Sequence, residues 1–277
     1  MSLAKIPLAG VIGSPIAHSK SPQIHGHWLK TLGLQGAYIP LHVEPEDLRQ
    51  VLEAMPKMGF IGANVTIPHK EAVIEIADII TDRAAMIGAV NTITFRADGK
   101  IQGDNTDGYG FIENLKAGAP DWVPGNGPAC VFGAGGAARA VISSLLDAGV
   151  PEILLANRTR VRAERLRSVF GNRVTVYDWS QAGTMVSHAG LVVNTTSLGM
   201  IGKPELRVPL DGLRADTVVT DLVYAPLKTT LLATAEAAGC VTVDGLGMLL
   251  HQAVPGFERW FGARPTVDHE TRLAALR

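Results

Sequence analysis

The sequence predicts an α/β protein of two domains, each an open parallel sheet with helices packed on it. Three observations lead there. Short apolar segments alternate with helix-like segments along the chain, the pattern of β-α-β crossovers. The length of 277 residues allows about two domains at roughly 150 residues each. Hydrophobic residues make up 47% and mean hydropathy is +0.18, values that suit strands buried on both faces.

Taken in order, Leu8 to Ile12 reads as a strand. Ser21 and Pro22 read as a helix cap followed by proline at the first helical position, opening a helix to about Leu32. Ala37 to Val43 is a second strand. Pro45 to about Met58 is a helix with Glu44, Glu46 and Asp47 at its positive end. Ile61 to Ile67 is a strand, and Pro68 opens the next helix. Val90 to Phe95 and Lys100 to Gln102 flank Asp98-Gly99, a hairpin signal. A helix from about Gly108 to Lys116 leads into residues 119–128, dense in Gly and Pro and read as a loop. The alternation then restarts: strands at Ala129–Phe132, Glu152–Ala156, Val174–Tyr177, Leu191–Asn194, Val218–Leu222 and Val241–Val243, with helices from Gly135, Thr159 and Leu227. Two helices, about Leu246–Trp260 and Val267–Leu276, close the chain. The expected domains are residues 1–107 joined by 245–277, and residues 108–244, with a hinge near 108–128 and 244–246.

Composition narrows the function. Lys and Arg number 25 against 26 Asp and Glu, which argues against a basic nucleic-acid binder. Two cysteines make neither a disulfide framework nor a cysteine-rich zinc site, and a reducing, cytoplasmic setting is expected. The opening ten residues are too short in their apolar part for a signal peptide, and no run approaches the length of a membrane span. Cys130 and Cys240 read as core, and Met55, Met58, Met86 and Met248 as packing. His25 and His27, two apart on a helix, point to different sides and make no zinc pair; no metal is expected. His18 and His69 read as rim residues.

Gly133-Ala134-Gly135-Gly136-Ala137-Ala138 matches G-x-G-x-x-A between a strand and a helix. The first glycine permits a tight turn, the second lets backbone approach a pyrophosphate, and the small last residue lets helix and strand pack closely. The helix N-terminus then offers free N–H groups to the phosphates. The next strand ends in Asn157-Arg158-Thr159-Arg160-Val161-Arg162, with no carboxylate for a ribose 2′-hydroxyl. Arg158 offers a 2′-phosphate a planar fork and Arg162 a second charge, with Asn157 and Thr159 as hydrogen-bonding neighbours. The alternative is a solvated basic face, but cations at a helix start oppose its dipole. NADP(H) is therefore expected rather than NAD.

Four polar clusters precede that turn: His18 to Pro22, Asn64 to Lys70, Gly88 to Thr92 and Gly103 to Gly108. If each sits beyond the carboxyl end of a strand, they converge on one rim. Their hydroxyls, amides, ammonium and carboxylates suit a small polyhydroxylated substrate. Each also has a plain reading: Ser21 a helix cap, Thr66 a strand residue, Asn105 and Asp107 Asx turns. Lys70 near a helix start is electrostatically disfavoured, which points to chemistry.

These segments, with Asn194 to Met200, Asp221 to Pro226 and Asp244 to Ala253, resemble shikimate dehydrogenases over nearly the whole chain. The resemblance implies an N-terminal substrate domain, a Rossmann-type NADP-binding domain and an active site in the cleft between them. It implies reversible NADPH-linked reduction of 3-dehydroshikimate to shikimate in aromatic amino-acid biosynthesis. Ser19 and Ser21 would hold the substrate carboxylate. Thr66, Asn91, Asp107 and Gln252 would hold its hydroxyls, with Tyr224 nearby. Lys70 and Asp107 would form the catalytic pair. Gly133, Ala134, Gly135, Gly136 and Ala137 would cradle the pyrophosphate, with Asn157, Arg158, Thr159 and Arg162 at the adenosine end. Leu222 and Gly245 would line the nicotinamide pocket, and Asp82 matches a cofactor-contacting position. Thr195 stands where the family more often has Ala, and little effect is expected. Both serines fit the shikimate-preferring branch. Quinate or amino-shikimate dehydrogenation, or a non-catalytic NADP-binding regulator, are the alternatives, though a regulator needs neither Lys70 nor Asp107. The expected partner is the small-molecule substrate, with no nucleic acid or membrane, in a monomer or homodimer.

Overall fold

A computed structural model describes residues 6–277; the start of the segment judged too short for a signal peptide, residues 1–5, lies outside the described residues. Two compact units form: residues up to Thr106 with Leu250–Arg277, and Asp107–Leu249.

In the first unit the chain forms β1 (Leu8–Gly13), α1 (Ser21–Thr31), β2 (Ala37–His42), α2 (Leu48–Ala54), β3 (Phe60–Val65), β4 (Ile79–Ile80), α3 (Asp82–Ile87), β5 (Thr92–Phe95) and β6 (Ile101–Asp104). The sheet order is β2-β1-β3-β5-β6-β4. It is mixed: β5 runs antiparallel to both neighbours. The hairpin at Asp98-Gly99 causes this, since a short turn can only reverse the chain. The expectation of a parallel sheet in each half is corrected here. The reversal places the start of β5 beside the ends of β3 and β6, with Asn64 facing Thr92 and Thr92 facing Asp104. The polar segments still share one edge, but the residues before Thr92 reach it at a strand start.

Three local expectations also change. Lys20 already has helical backbone angles, so Ser21 is the first residue of α1 rather than its cap, and no side chain caps the helix. The helix expected over 45–58 is α2 between two 3-10 turns, Pro45–Asp47 and Met55–Met58; Pro56 has no N–H to continue the ladder. Pro68 opens no α-helix. The Lys70 carbonyl accepts from Val90 N–H at 2.8 Å instead of from a residue one helical turn on, and only a 3-10 turn, Ala72–Glu75, follows. The helix-start argument for Lys70 therefore lapses. Leu48, Leu52 and Met55 pack with Val73 and with Ala63 and Val65 of β3 in one buried core. Met58 and Met86, expected to pack, are exposed.

The second unit adds α4 (Asp107–Gly118), β7 (Ala129–Phe132), α5 (Gly136–Ala148), β8 (Ile153–Ala156), α6 (Arg160–Phe170), β9 (Val174–Tyr177), α7 (Ala182–His188), β10 (Leu191–Asn194), β11 (Val218–Asp221), α8 (Thr230–Ala237) and β12 (Val241–Val243). Its order, β12-β11-β10-β7-β8-β9, is parallel throughout. That is the doubly wound dinucleotide-binding order, with its switch point between β7 and β10. Alternate residues of each strand enter opposite cores. Val131, Leu155 and Val193 meet Val141, Ile142 and Leu145 of α5. Cys130, Leu154 and Val192 meet Met185 and Val186 of α7 and Leu231 and Leu232 of α8. Both cysteines are free and buried, as expected of core residues. α9 (Leu246–Phe261) carries the chain back into the first unit, where α10 (His269–Leu276) ends it.

Candidate active site

In the first unit, Asn91 is the centre of a hydrogen-bonded array. Its Oδ1 accepts from Thr106 N–H at 2.8 Å and the Thr92 hydroxyl at 2.9 Å, and its Nδ2 donates to Gln252 Oε1 at 3.2 Å. The Thr106 hydroxyl donates to the Gln252 carbonyl at 2.8 Å. Asn64 donates to the Asn91 carbonyl at 3.1 Å and accepts from the Tyr38 hydroxyl at 2.7 Å. Asn91, Asn64, Thr92 and Thr106 are all buried. Buried amides and hydroxyls satisfied by one another are rigid. Asn91 and Gln252 are thus held together within the first unit.

Thr66 follows β3, its N–H donating to the Ile12 carbonyl at 2.9 Å. Lys70 lies half-buried in the turn beyond it. Between them His69 is buried, its Nε2 at 2.7 Å from the Val43 carbonyl. It is an anchor of this turn rather than the rim residue expected. Ser19 Oγ accepts the Ser21 N–H at 3.3 Å. His25, one turn into α1, stacks on Tyr38 with ring centroids 3.8 Å apart. Neither of its ring nitrogens has a partner among the described residues, and burial pushes its pKa down to about 3. It is a neutral core residue.

The sequence reading missed the ion cluster at Asp104. This carboxylate is 1% exposed and receives Arg83 Nε at 2.7 Å, Arg259 Nη2 at 2.5 Å and the Thr81 hydroxyl at 2.8 Å. Burial alone would raise its pKa, but the two guanidinium groups and the hydroxyl outweigh that and hold it well below the usual carboxylate range. The available signal was an aspartate between a strand and the polar Asn105-Thr106 turn; its partners are 21 and 155 residues away. Asp82 is exposed at the start of α3.

In the second unit, Gly133 follows β7 with φ +108°. A Cβ there would lie 2.5 Å from Thr195 Oγ1, and that hydroxyl donates to the Phe132 carbonyl at 2.7 Å. Thr195, expected to matter little, is the wall against which the turn packs. Gly135 and Gly136 are exposed with open space around them, and no side chain caps α5. Its first-turn N–H groups face outward at the switch point, a fit for a pyrophosphate. Ala137 follows, half-buried. Ala134 differs: its N–H donates to Asn157 Oδ1 at 3.1 Å, while Asn157 Nδ2 donates to the Thr159 carbonyl at 2.8 Å. Asn157 thereby ties the turn to the loop after β8.

Arg160 is committed to Asp178 at 2.6 Å and Glu164 at 3.0 Å. Arg158 and Arg162 are exposed and form no ion pair among the described residues, so their charge is available to an anion. Beyond β11, Gly245 lies against Leu222; a Cβ would come within 2.3 Å of the Leu222 carbonyl oxygen. Beneath them the buried Asp221 takes three neutral donors, Asn194 Nδ2, Val223 N–H and the Thr229 hydroxyl. Burial pushes its pKa up. Tyr224 is exposed, and Asp107 is the first residue of α4.

Family models match three segments. Residues 11–93 match the shikimate dehydrogenase substrate binding domain, 126–202 the shikimate / quinate 5-dehydrogenase model, and 245–269 the shikimate 5′-dehydrogenase C-terminal domain. The shikimate dehydrogenase (NADP(+)) of Roseobacter denitrificans is 67% identical over 276 residues, covering 100% of both chains. Among solved structures, shikimate 5-dehydrogenase from Thermus thermophilus in complex with NADP(H) and shikimate is similar at 38% identity and TM-score 0.85, over 97% of this chain and 98% of that one. Quinate dehydrogenase from Corynebacterium glutamicum in complex with NAD is similar at 33% identity and TM-score 0.89, over 97% and 98%. A dinucleotide-binding sheet, a locked amide-hydroxyl array and a full-length match at this identity agree: the chain belongs to the shikimate dehydrogenase family.

Proposed function

We propose that this protein is an NADP-dependent shikimate dehydrogenase, interconverting shikimate and 3-dehydroshikimate. The observation that carries the reading is the full-length identity of 67% to a relative of that name. The site residues support it independently. An array of amides and hydroxyls suits a ring bearing several hydroxyls, and the carboxylate-free end of β8 with Arg158 and Arg162 suits a 2′-phosphate.

NADP supplies hydride acceptance when bound, and NADPH hydride donation. Lys70 Nζ moves the accompanying proton: it receives the hydroxyl proton as the alcohol becomes a ketone and returns it in the reducing direction. Asp107 is its partner in that exchange. Ser19 and Ser21 hydroxyls hold the substrate carboxylate, and Thr66, Asn91, Asp107, Gln252 and Tyr224 orient the ring. Gly133 to Ala137 receive the pyrophosphate, Asn157 to Arg162 the adenosine end, and Leu222 with Gly245 border the nicotinamide. Asp82 is assigned a cofactor contact by resemblance alone.

No helix among the described residues is long and apolar enough to cross a membrane. Two free cysteines suit a reducing cytoplasm, and we place the enzyme there as a monomer or homodimer. Incubation with shikimate and NADP+, followed by chromatographic identification of the product, tests the function. 3-Dehydroshikimate formed in step with NADPH is expected. No oxidised ring product would refute it.

A further inference from the structure

We infer that Asp104 is a positioning residue: clamped by Arg83 and Arg259, it holds the Asn105-Thr106 turn and helix α9 in register with Asn91, and so sets the affinity of the first unit for its hydroxylated ring acid. The inference rests on the function proposed above.

Asp104 reaches Asn91, the Asn105-Thr106 turn and α9 from one position. Its main-chain carbonyl accepts the Asn91 N–H at 3.0 Å, and its Oδ1 accepts the Asn105 N–H at 2.8 Å. Thr106, one residue further, donates its N–H to Asn91 and its hydroxyl to Gln252. The carboxylate then ties in two helices. Arg83 of α3 approaches through Nε to Oδ1 at 2.7 Å and Nη2 to Oδ2 at 2.5 Å. Arg259 of α9 approaches Oδ2 at 2.5 Å. Arg259 lies seven residues after Gln252, two turns along the same helix and therefore on the same face. Fixing Arg259 on Asp104 fixes the rotation of α9 and with it the side of the helix that presents Gln252 to Asn91.

Stability alone is a poor reason for such a cluster. Burying a carboxylate is costly, and apolar groups of similar volume often serve a core as well or better. The best-attested use of buried charge is to fix register. Here both arginines remain partly solvated, 47% and 37% exposed, while the carboxylate is 1% exposed. The cluster thus desolvates one charge to connect β6 with α3 and with α9, the helix that carries Gln252.

The test uses Arg259→Gln and Arg259→Lys in the full-length protein. Arg259→Gln should raise the shikimate KM about tenfold while kcat stays within about threefold, a size typical of coupled networks. The NADP+ dissociation constant, read by calorimetry, should not move. Amide hydrogen exchange should quicken at Asn91 and Thr106 but not in β7 or β10. Arg259→Lys, which keeps a charge on Asp104, should recover much of the KM, and it carries the test if the glutamine variant does not fold. A wild-type KM in Arg259→Gln, even with a lower melting temperature, would reduce the cluster to a brace and overturn the inference. Wild-type enzyme inactive on shikimate with NADP+ would instead overturn the proposed function, and the cluster's role in substrate affinity with it.

Discussion

The two units prepare for their ligands in opposite ways. In the first, polar groups are locked to one another: Asn91 to Thr106 and Gln252, Asn64 to Tyr38, Asp104 to two arginines. In the second, the groups at the switch point face outward: an uncapped helix start at Gly135-Gly136 and two arginines that form no ion pair among the described residues. The difference follows from what each must recognise. A small ring with several hydroxyls is distinguished from its analogues by hydrogen bonds in fixed places, and misplaced buried donors are costly. A dinucleotide brings its own charge, so backbone N–H groups and exposed guanidinium groups suffice to hold it.

Removing the proton-transfer group should produce the largest effect. Lys70→Ala should lower kcat by about 100-fold or more, as expected for loss of a general acid–base, with a smaller change in KM and unchanged NADP+ binding. Near-full turnover would remove Lys70 from the chemistry. Gly133→Ala attacks the second unit through backbone. The added methyl meets Thr195 Oγ1, and φ +108° is strained for alanine, so NADP+ affinity should fall by about tenfold or more. Shikimate binding by calorimetry should persist. Loss of both would mean that the first unit is not independently organised.

Arg158→Ala should weaken NADP+ by about tenfold, the size of one charge-assisted hydrogen bond, and leave NAD+ nearly unaffected. Equal losses would break the phosphate assignment. A change in stability rather than in binding tests the locked side alone. His25 has its pKa lowered to about 3 by burial, so the unfolded chain binds a proton near pH 6.5 that the folded chain does not. Stability from this group is present above that value and lost as pH falls toward 3. His25→Leu should therefore gain about 2 kcal/mol relative to wild type between pH 7 and pH 5, measured by urea unfolding. Parallel pH profiles would show that His25 finds a proton-accepting partner.

The second unit was the more legible in sequence. Its four inner strands are short apolar runs buried on both faces, and the strand, glycine turn and helix sit in continuous sequence around Gly133. Only α7 was missed, because residues 182–188 pack through small and mixed side chains, among them Ala182 and Met185. The first unit was read correctly where a local rule holds, as at the Asp98-Gly99 turn. It was misread where distant partners decide. Lys70 is shaped by Val90 rather than by Pro68, His69 by Val43, and Asp104 by Arg259. α3 and β4 are too short for periodicity to reveal, with six and two residues. Asn91 and Gln252 were identifiable by resemblance, but the bonds that lock them to Asn64, Thr92 and Thr106 were not.

The most direct test compares kcat/KM for shikimate and quinate, each with NADP+ and NAD+, from the nicotinamide absorbance. Shikimate with NADP+ should be the best of the four combinations. A preference for quinate with NAD+, or no turnover with any of them, would contradict it.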